Sequence, residues 1–213
     1  MTNAQHQSAT AEHGTPSDIL DRVRRVLGGI DLDPASSRVF NRVVKAENYY
    51  NERTNGFVRP WGGKVYLNPP GGSCDARGRR VVLLKDTGFV YLSGKRAPGR
   101  PQSAMASWWY KLAQEWVENR VRAAIFMGFS LEVLQRTQSF KEAETLPVPL
   151  DFPCCYPRAR LRYSALEGKT LKPGNAPTHA SVIVLLPPKQ AGAARSMKRR
   201  FEREFSLVGR VKL

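Results

Sequence analysis

Two adjacent prolines inside the stretch KVYLNPPGGS, at 64–73, constrain this chain more than any other feature. Each proline removes a backbone donor and fixes one φ, so neither a helix nor a sheet ladder runs through Pro69 and Pro70. An apolar strand over 64–67 must therefore stop there. What it presents at its tip is the amide of Asn68, followed by a rigid backbone that can only accept hydrogen bonds. Asp33-Pro34 forms a second such corner, after a short strand expected over 30–32.

Between and around these corners, helical and strand patterns alternate. TPSDILDRVRRVLGG reads as a helix with Thr15 as N-cap, Pro16 at the first helical position, Asp18 in the first turn and Gly28-Gly29 as the stop. Ile19, Leu20, Val23, Val26 and Leu27 give it one apolar face. A helix is expected to run through Val44. Another is expected over 103–119, with Trp109, Leu112 and Trp116 on one side, feeding the apolar strand AAIFM at 123–127. A short helix at 131–138, strands at 160–163 and 181–186, and a basic amphipathic helix at 193–205 complete the pattern. Such alternation predicts an α/β sheet with flanking helices.

Residues 1–14 lack any periodic pattern and are expected to be disordered. Residues 15–190 form one domain, interrupted at about 76–102 by an insertion in which VVLLK and FVYLS read as a hairpin around Asp86-Thr87-Gly88. Residues 191–213 are expected as a basic C-terminal helix and tail.

Lys and Arg total 34 against 18 Asp and Glu, a formal charge of +16. A polyanion is the natural partner of such a surface. Three cysteines and three histidines cannot assemble a disulfide framework or a structural zinc set, so no metal is expected. No apolar run approaches the roughly 20 residues of a membrane span, and the first residues lack a signal-peptide pattern. A cytoplasmic protein with no membrane partner is expected. Nothing in one chain's sequence fixes an oligomeric state.

Open α/β sheets bind ligands outside the carboxyl ends of their strands, which is where Asp33-Pro34 and Asn68-Pro69-Pro70 fall. Each corner alone is an ordinary turn starter. Together with their surroundings they resemble the phage-type DNA N6-adenine methyltransferases. The shared features, in order, are Thr15-Pro16, Asp31-Leu32-Asp33-Pro34-Ala35-Ser36, Ala46 to Tyr50, Asn55-Gly56-Phe57, Trp61-Gly62 and Leu67-Asn68-Pro69-Pro70. Weaker likeness follows at 123–127, 159–163 and 180–186.

The resemblance implies a Rossmann-like methyltransferase sheet using S-adenosylmethionine as cofactor and DNA as substrate. It implies that Asn68, Pro69 and Pro70 form the catalytic corner, with Thr15, Pro16 and Asp33-Pro34 at the cofactor. No glycine-rich loop follows the first strand, so Asp31 or Asp33 is left as the acid that accepts from ribose hydroxyls. Family members follow Asn-Pro-Pro with an aromatic that stacks on the flipped base. Gly71 takes that place here, and Phe129 is the candidate replacement. Arg77, Arg79, Arg80, Lys95 and Arg96 of the insertion, with Arg158 and Arg160, are the candidate DNA contacts. Two other functions fit the same residues: methylation of another planar amide or amine, in a protein glutamine or RNA adenine, and nucleic-acid binding by an inactive relative.

Overall fold

The computed structural model describes residues 13–84, 88–91, 93–167, 170–173 and 179–213. The first elements are β1 (His13–Gly14), α1 (Ser17–Leu27), β2 (Leu32–Asp33), α2 (Arg38–Val44), β3 (Asn48–Tyr49) and β4 (Gly63–Leu67). Next come β5 (Ser73–Cys74), β6 (Arg80–Leu84), β7 (Gly88–Tyr91), β8 (Gln102–Ser103), α3 (Ala104–Val117), β9 (Val121–Gly128) and α4 (Glu132–Gln138). The chain ends with β10 (Cys154–Pro157), β11 (Ser164–Glu167), β12 (Thr170–Pro173), β13 (Val182–Leu186), α5 (Ala191–Phe205) and β14 (Gly209–Lys212).

A seven-stranded mixed sheet in the order β14-β10-β13-β9-β4-β2-β3 forms the centre. Strands β3, β2, β4 and β9 are parallel, β13 runs against both β9 and β10, and β14 runs against β10. From β2 the chain crosses through α2 to β3 on one side, then returns to the other side of β2 to form β4 and continues through α3 to β9. The winding therefore reverses between β2 and β4. That reversal is where an open α/β sheet leaves a crevice at its carboxyl edge.

Side-chain alternation along β4 divides the core. Val65 and Leu67 face α3 with Trp109, Leu112, Ala124 and Phe126, while Tyr66 faces α1 and α5 with Ile125, Met127, Phe201 and Phe205. Burying each large apolar side chain contributes roughly 1.5–3 kcal/mol. In α1 all five apolar residues of the expected stripe are buried, and Gly28 closes the helix at φ +71°, a left-handed turn that glycine adopts without strain.

Several expectations are corrected. Helix α1 starts at Ser17 with Pro16, not Thr15, in the capping position, and no side chain caps it. The strand expected at 30–32 instead pairs as Leu32–Asp33, so the acid belongs to the strand rather than to the turn after it. No strand forms over 160–163; β10 and β11 lie on either side, and Tyr163 is buried between them in sequence with its hydroxyl against Ser181. His13 and Gly14, expected to be disordered, pair with Ala165 and Ser164; residues 1–12 lie outside the described residues. The last residues form β14, a sheet edge pairing with β10.

The insertion is larger than a hairpin. β6 and β7 pair antiparallel as expected, with the turn at 85–87 outside the described residues, and β5 and β8 extend them to a four-stranded sheet in the order β7-β6-β5-β8. It leaves the main sheet directly after the Asn68-Pro69-Pro70 corner and returns into α3, where the Ala104 amide donates to the Gly72 carbonyl at 3.0 Å. Among the described residues no helix is long and apolar enough to cross a membrane, and no cluster of side chains suits a metal ion.

Candidate active site

Register sets the site. Leu32 pairs with Val65, so Asp33 at the end of β2 lies level with Tyr66, one residue before the end of β4. Asn68 and Pro69 follow immediately beyond it. Asp33 is 3% exposed, and burial pushes its carboxyl up to about 7. The Ala35 amide, donating to Oδ1 at 3.1 Å, works against that rise. The Ser36 hydroxyl also favours the ionised form, yet its buried Oγ makes no hydrogen bond of regular geometry among the described residues.

Asp31 has a different environment. Partial burial opposes its charge, but the Lys64 amide at 2.8 Å and Arg122 at 3.0 Å outweigh this and hold the carboxyl below its ordinary value. The Lys64 ammonium adds a further contact at 3.6 Å. Asp31 therefore ties β2 to the starts of β4 and β9, away from their carboxyl ends.

Thr15 does not cap α1 because its hydroxyl is engaged elsewhere, in a hydrogen bond with the Tyr66 hydroxyl. Burial raises Tyr66 well above the ordinary phenol range, and Asp33 and Tyr163 act on it in the same direction. The Tyr163 hydroxyl in turn lies 3.2 Å from Ser181 Oγ at the start of β13, and burial pushes that phenol up to about 12. Thr15, Asp33, Tyr66, Tyr163 and Ser181 thus form a buried polar cluster beneath the carboxyl edge. Pro16, half-buried, follows Thr15 at the entrance to α1, and Pro34 is buried after Asp33.

Asn55-Gly56-Phe57 and Trp61 hold this edge together. A Cβ on Gly56 would lie 2.1 Å from the Pro34 carbonyl oxygen, so only glycine allows that approach. Trp61 Nε1 donates to the Gly56 carbonyl at 2.7 Å. Asn55 Nδ2 donates to the Arg77 carbonyl at 3.2 Å, and a side chain at Gly78 would strike the Phe57 ring. One loop therefore braces both the Asp33-Pro34 corner and the root of the insertion.

At the second corner Asn68 and Pro70 are half-buried and Pro69 is buried. The Phe129 ring occupies the space that a residue-71 side chain would need: a Cβ on Gly71 would lie 2.7 Å from its Cζ. Glycine and aromatic are thus complementary across β4 and β9. Beyond them a cavity of about 420 Å³ is lined by Gly72, Gln102, Met105, Phe129 and Arg136, among others. Its volume is within the range of small-molecule sites.

The candidate DNA contacts divide by their partners. Arg79 is committed internally: its Nε donates to Asp75 at 2.8 Å, and its guanidinium also bonds the Tyr91 hydroxyl at 2.7 Å and lies 4.6 Å from that ring's centre. Asp75 also accepts the Arg77 and Arg79 amides and the Tyr91 hydroxyl, so Arg79 organises the insertion from within. The side chains of Arg77, Lys95 and Arg96 are exposed, and Arg80 is half-buried on β6. Arg158 donates to the Ser206 carbonyl at 3.1 Å at the end of α5, while Arg160 is exposed in the connection to β11.

Tyr66, Tyr163 and Ser181 are absent from the site residues expected from the sequence, where they figure only as parts of strands. Tyr66 stands within the strand whose alternation assigns it to the core, and nothing local ties it to Thr15, 51 residues away. At this edge a buried carboxyl near neutrality, Asp33, stands beside a buried hydroxyl without a regular hydrogen bond among the described residues, Ser36. Comparisons with protein-family models, curated proteins and solved structures return no match for this chain.

Proposed function

We propose that this chain transfers a methyl group from S-adenosylmethionine to the N6 amine of adenine in DNA, after the base has flipped out of the duplex. The observation that carries this reading is the pair of proline-closed corners, Asp33-Pro34 and Asn68-Pro69-Pro70, on either side of the sheet's reversal. In this reading the sheet is a Rossmann-like methyltransferase sheet. Asp33, with Ser36, Thr15 and Pro16 around it, serves the cofactor side, and Asn68 serves the base side.

Adenine N6 is a poor nucleophile because its lone pair is delocalised into the ring. The Asn68 side-chain oxygen and the Pro69 carbonyl accept its two hydrogens and favour tetrahedral geometry at nitrogen. Proline rigidity keeps that carbonyl aimed without reorganisation, the form of preorganisation that electrostatic catalysis needs. When bound, S-adenosylmethionine supplies a methyl group already activated by its sulfonium, so positioning replaces a strong base. The surplus proton leaves to water.

Phe129 supplies the stacking face that Gly71 cannot for a flipped base held at Asn68. Exposed Arg77, Lys95 and Arg96 hold phosphates. The test is transfer of labelled methyl from S-adenosylmethionine to duplex DNA of mixed sequence by the purified protein. Transfer that is lost in Asn68→Ala with cofactor affinity retained supports the reading; cofactor binding without transfer to adenine in any context contradicts it.

A further inference from the structure

Helix α5 covers the sheet face opposite α3, using Met197, Phe201 and Phe205, and turns a row of arginines outward. Arg195, Arg199, Arg200 and Arg203, with Gly192 and Ser196, line an open groove of about 500 Å³. Among the described residues no carboxylate lines it. Arg195 and Arg199 have neither a hydrogen bond nor an ion pair among the described residues, and they stand one turn apart, where like charges repel. Arg200 is oriented by the Val26 carbonyl and the Ser196 hydroxyl, both at 3.0 Å. Arg203 lies 3.3 Å from Glu204, whose carboxylate already serves Arg25 at 2.7 Å. The groove thus concentrates positive charge that the fold itself does not neutralise.

We infer that this groove is a second nucleic-acid contact, holding a phosphodiester backbone on a face distinct from the insertion. Arg195 and Arg199 are spaced about 6 Å apart along the helix axis, and their forked guanidinium groups suit phosphate oxygens better than point-charge ammoniums would. A lipid surface fits less well. Interfacial helices insert an apolar face, and here the apolar residues of α5 are spent on the sheet. The inference depends on the methyltransferase reading only in naming duplex DNA as the polyanion.

The experiment is the salt dependence of duplex binding, by fluorescence anisotropy, for the full chain, Arg195→Gln/Arg199→Gln and Arg195→Lys/Arg199→Lys. Loss of two phosphate contacts lowers the slope of log K against log salt by about 1.8, and weakens binding severalfold at about 100 mM salt. The lysine pair retains most of the slope. Unfolding temperature serves as the folding control and should be unchanged or slightly higher in the glutamine variant, since repulsion is removed. The drop should add to that of Arg77→Gln/Lys95→Gln/Arg96→Gln. An unchanged slope in the glutamine variant overturns the inference. So does a variant that loses binding to anionic phospholipid vesicles while its DNA slope is kept. Methyl transfer is not the readout, so DNA binding without transfer refutes the proposed reaction and leaves this surface standing.

Discussion

Replacing Asp33 by asparagine isolates the electrostatics of the carboxyl edge. An unfolded aspartate titrates near about 3.9, while burial pushes folded Asp33 up to about 7. Between those values the folded chain holds a proton that the unfolded chain has released. Stability from this group is therefore fully present below about pH 4 and is lost as pH rises through 7. At about 1.4 kcal/mol per pH unit, the two units between pH 5 and 7 amount to about 3 kcal/mol. Asparagine keeps an oxygen for the Ala35 amide and does not titrate. Urea unfolding of both proteins from pH 5 to pH 8 should show the parent losing about 3 kcal/mol relative to the variant. A difference that stays constant across this range, or that favours the parent as pH rises, would refute the assignment of a buried, nearly neutral carboxyl. On the proposed reaction, S-adenosylmethionine affinity of the parent also increases through pH 7, because its positive charge favours the ionised carboxylate, and that increase is absent in Asp33→Asn.

Thr15→Val strands the Tyr66 hydroxyl and should destabilise by about 1–2 kcal/mol, whereas Thr15→Val with Tyr66→Phe should lose less than the sum of the two single changes, as measured by urea unfolding. Gly71→Val forces the Phe129 ring aside and should lower stability by about 1–3 kcal/mol; adding Phe129→Ala should relieve most of that, and independent effects in the double-mutant cycle would show that ring and glycine do not interact. Arg77→Gln/Lys95→Gln/Arg96→Gln should lower the salt slope of DNA binding by up to about 2.7, while Arg79→Gln should chiefly increase protease cleavage within the insertion, since Asp75 loses its ion-pair partner.

Legibility in the sequence followed the range of the interactions involved. Helix α1, β4, α3, β9 and α5 were readable because apolar spacing and Gly or Pro punctuation are local, and both corners announced themselves by proline. Thr15 misled because an N-cap and a tertiary hydrogen bond demand the same hydroxyl, and only the fold brings Tyr66 to it. Tyr163 misled in a similar way: the stretch 160–163 reads as a strand, but the tyrosine is buried outside any strand and its hydroxyl meets Ser181, 18 residues on. The insertion was underestimated because β5 and β8 contribute two residues each, too few to show alternation, and pair only after the chain has closed on itself. Phe129 is the instructive case. The sequence already offers Phe129 opposite Gly71 because it follows the strand at 123–127, and the pairing of β4 with β9 sets that ring where a residue-71 side chain would stand.

The central claim is that the Asn68 corner presents two fixed acceptors to an adenine amine. Its most direct measurement is base-resolution sequencing of N6-methyladenine in DNA from cells expressing the parent chain or Asn68→Ala. The account predicts methylation confined to a recurring sequence with the parent and none above background with the variant. Equal modification by both, or none by the parent in any sequence context, would contradict it.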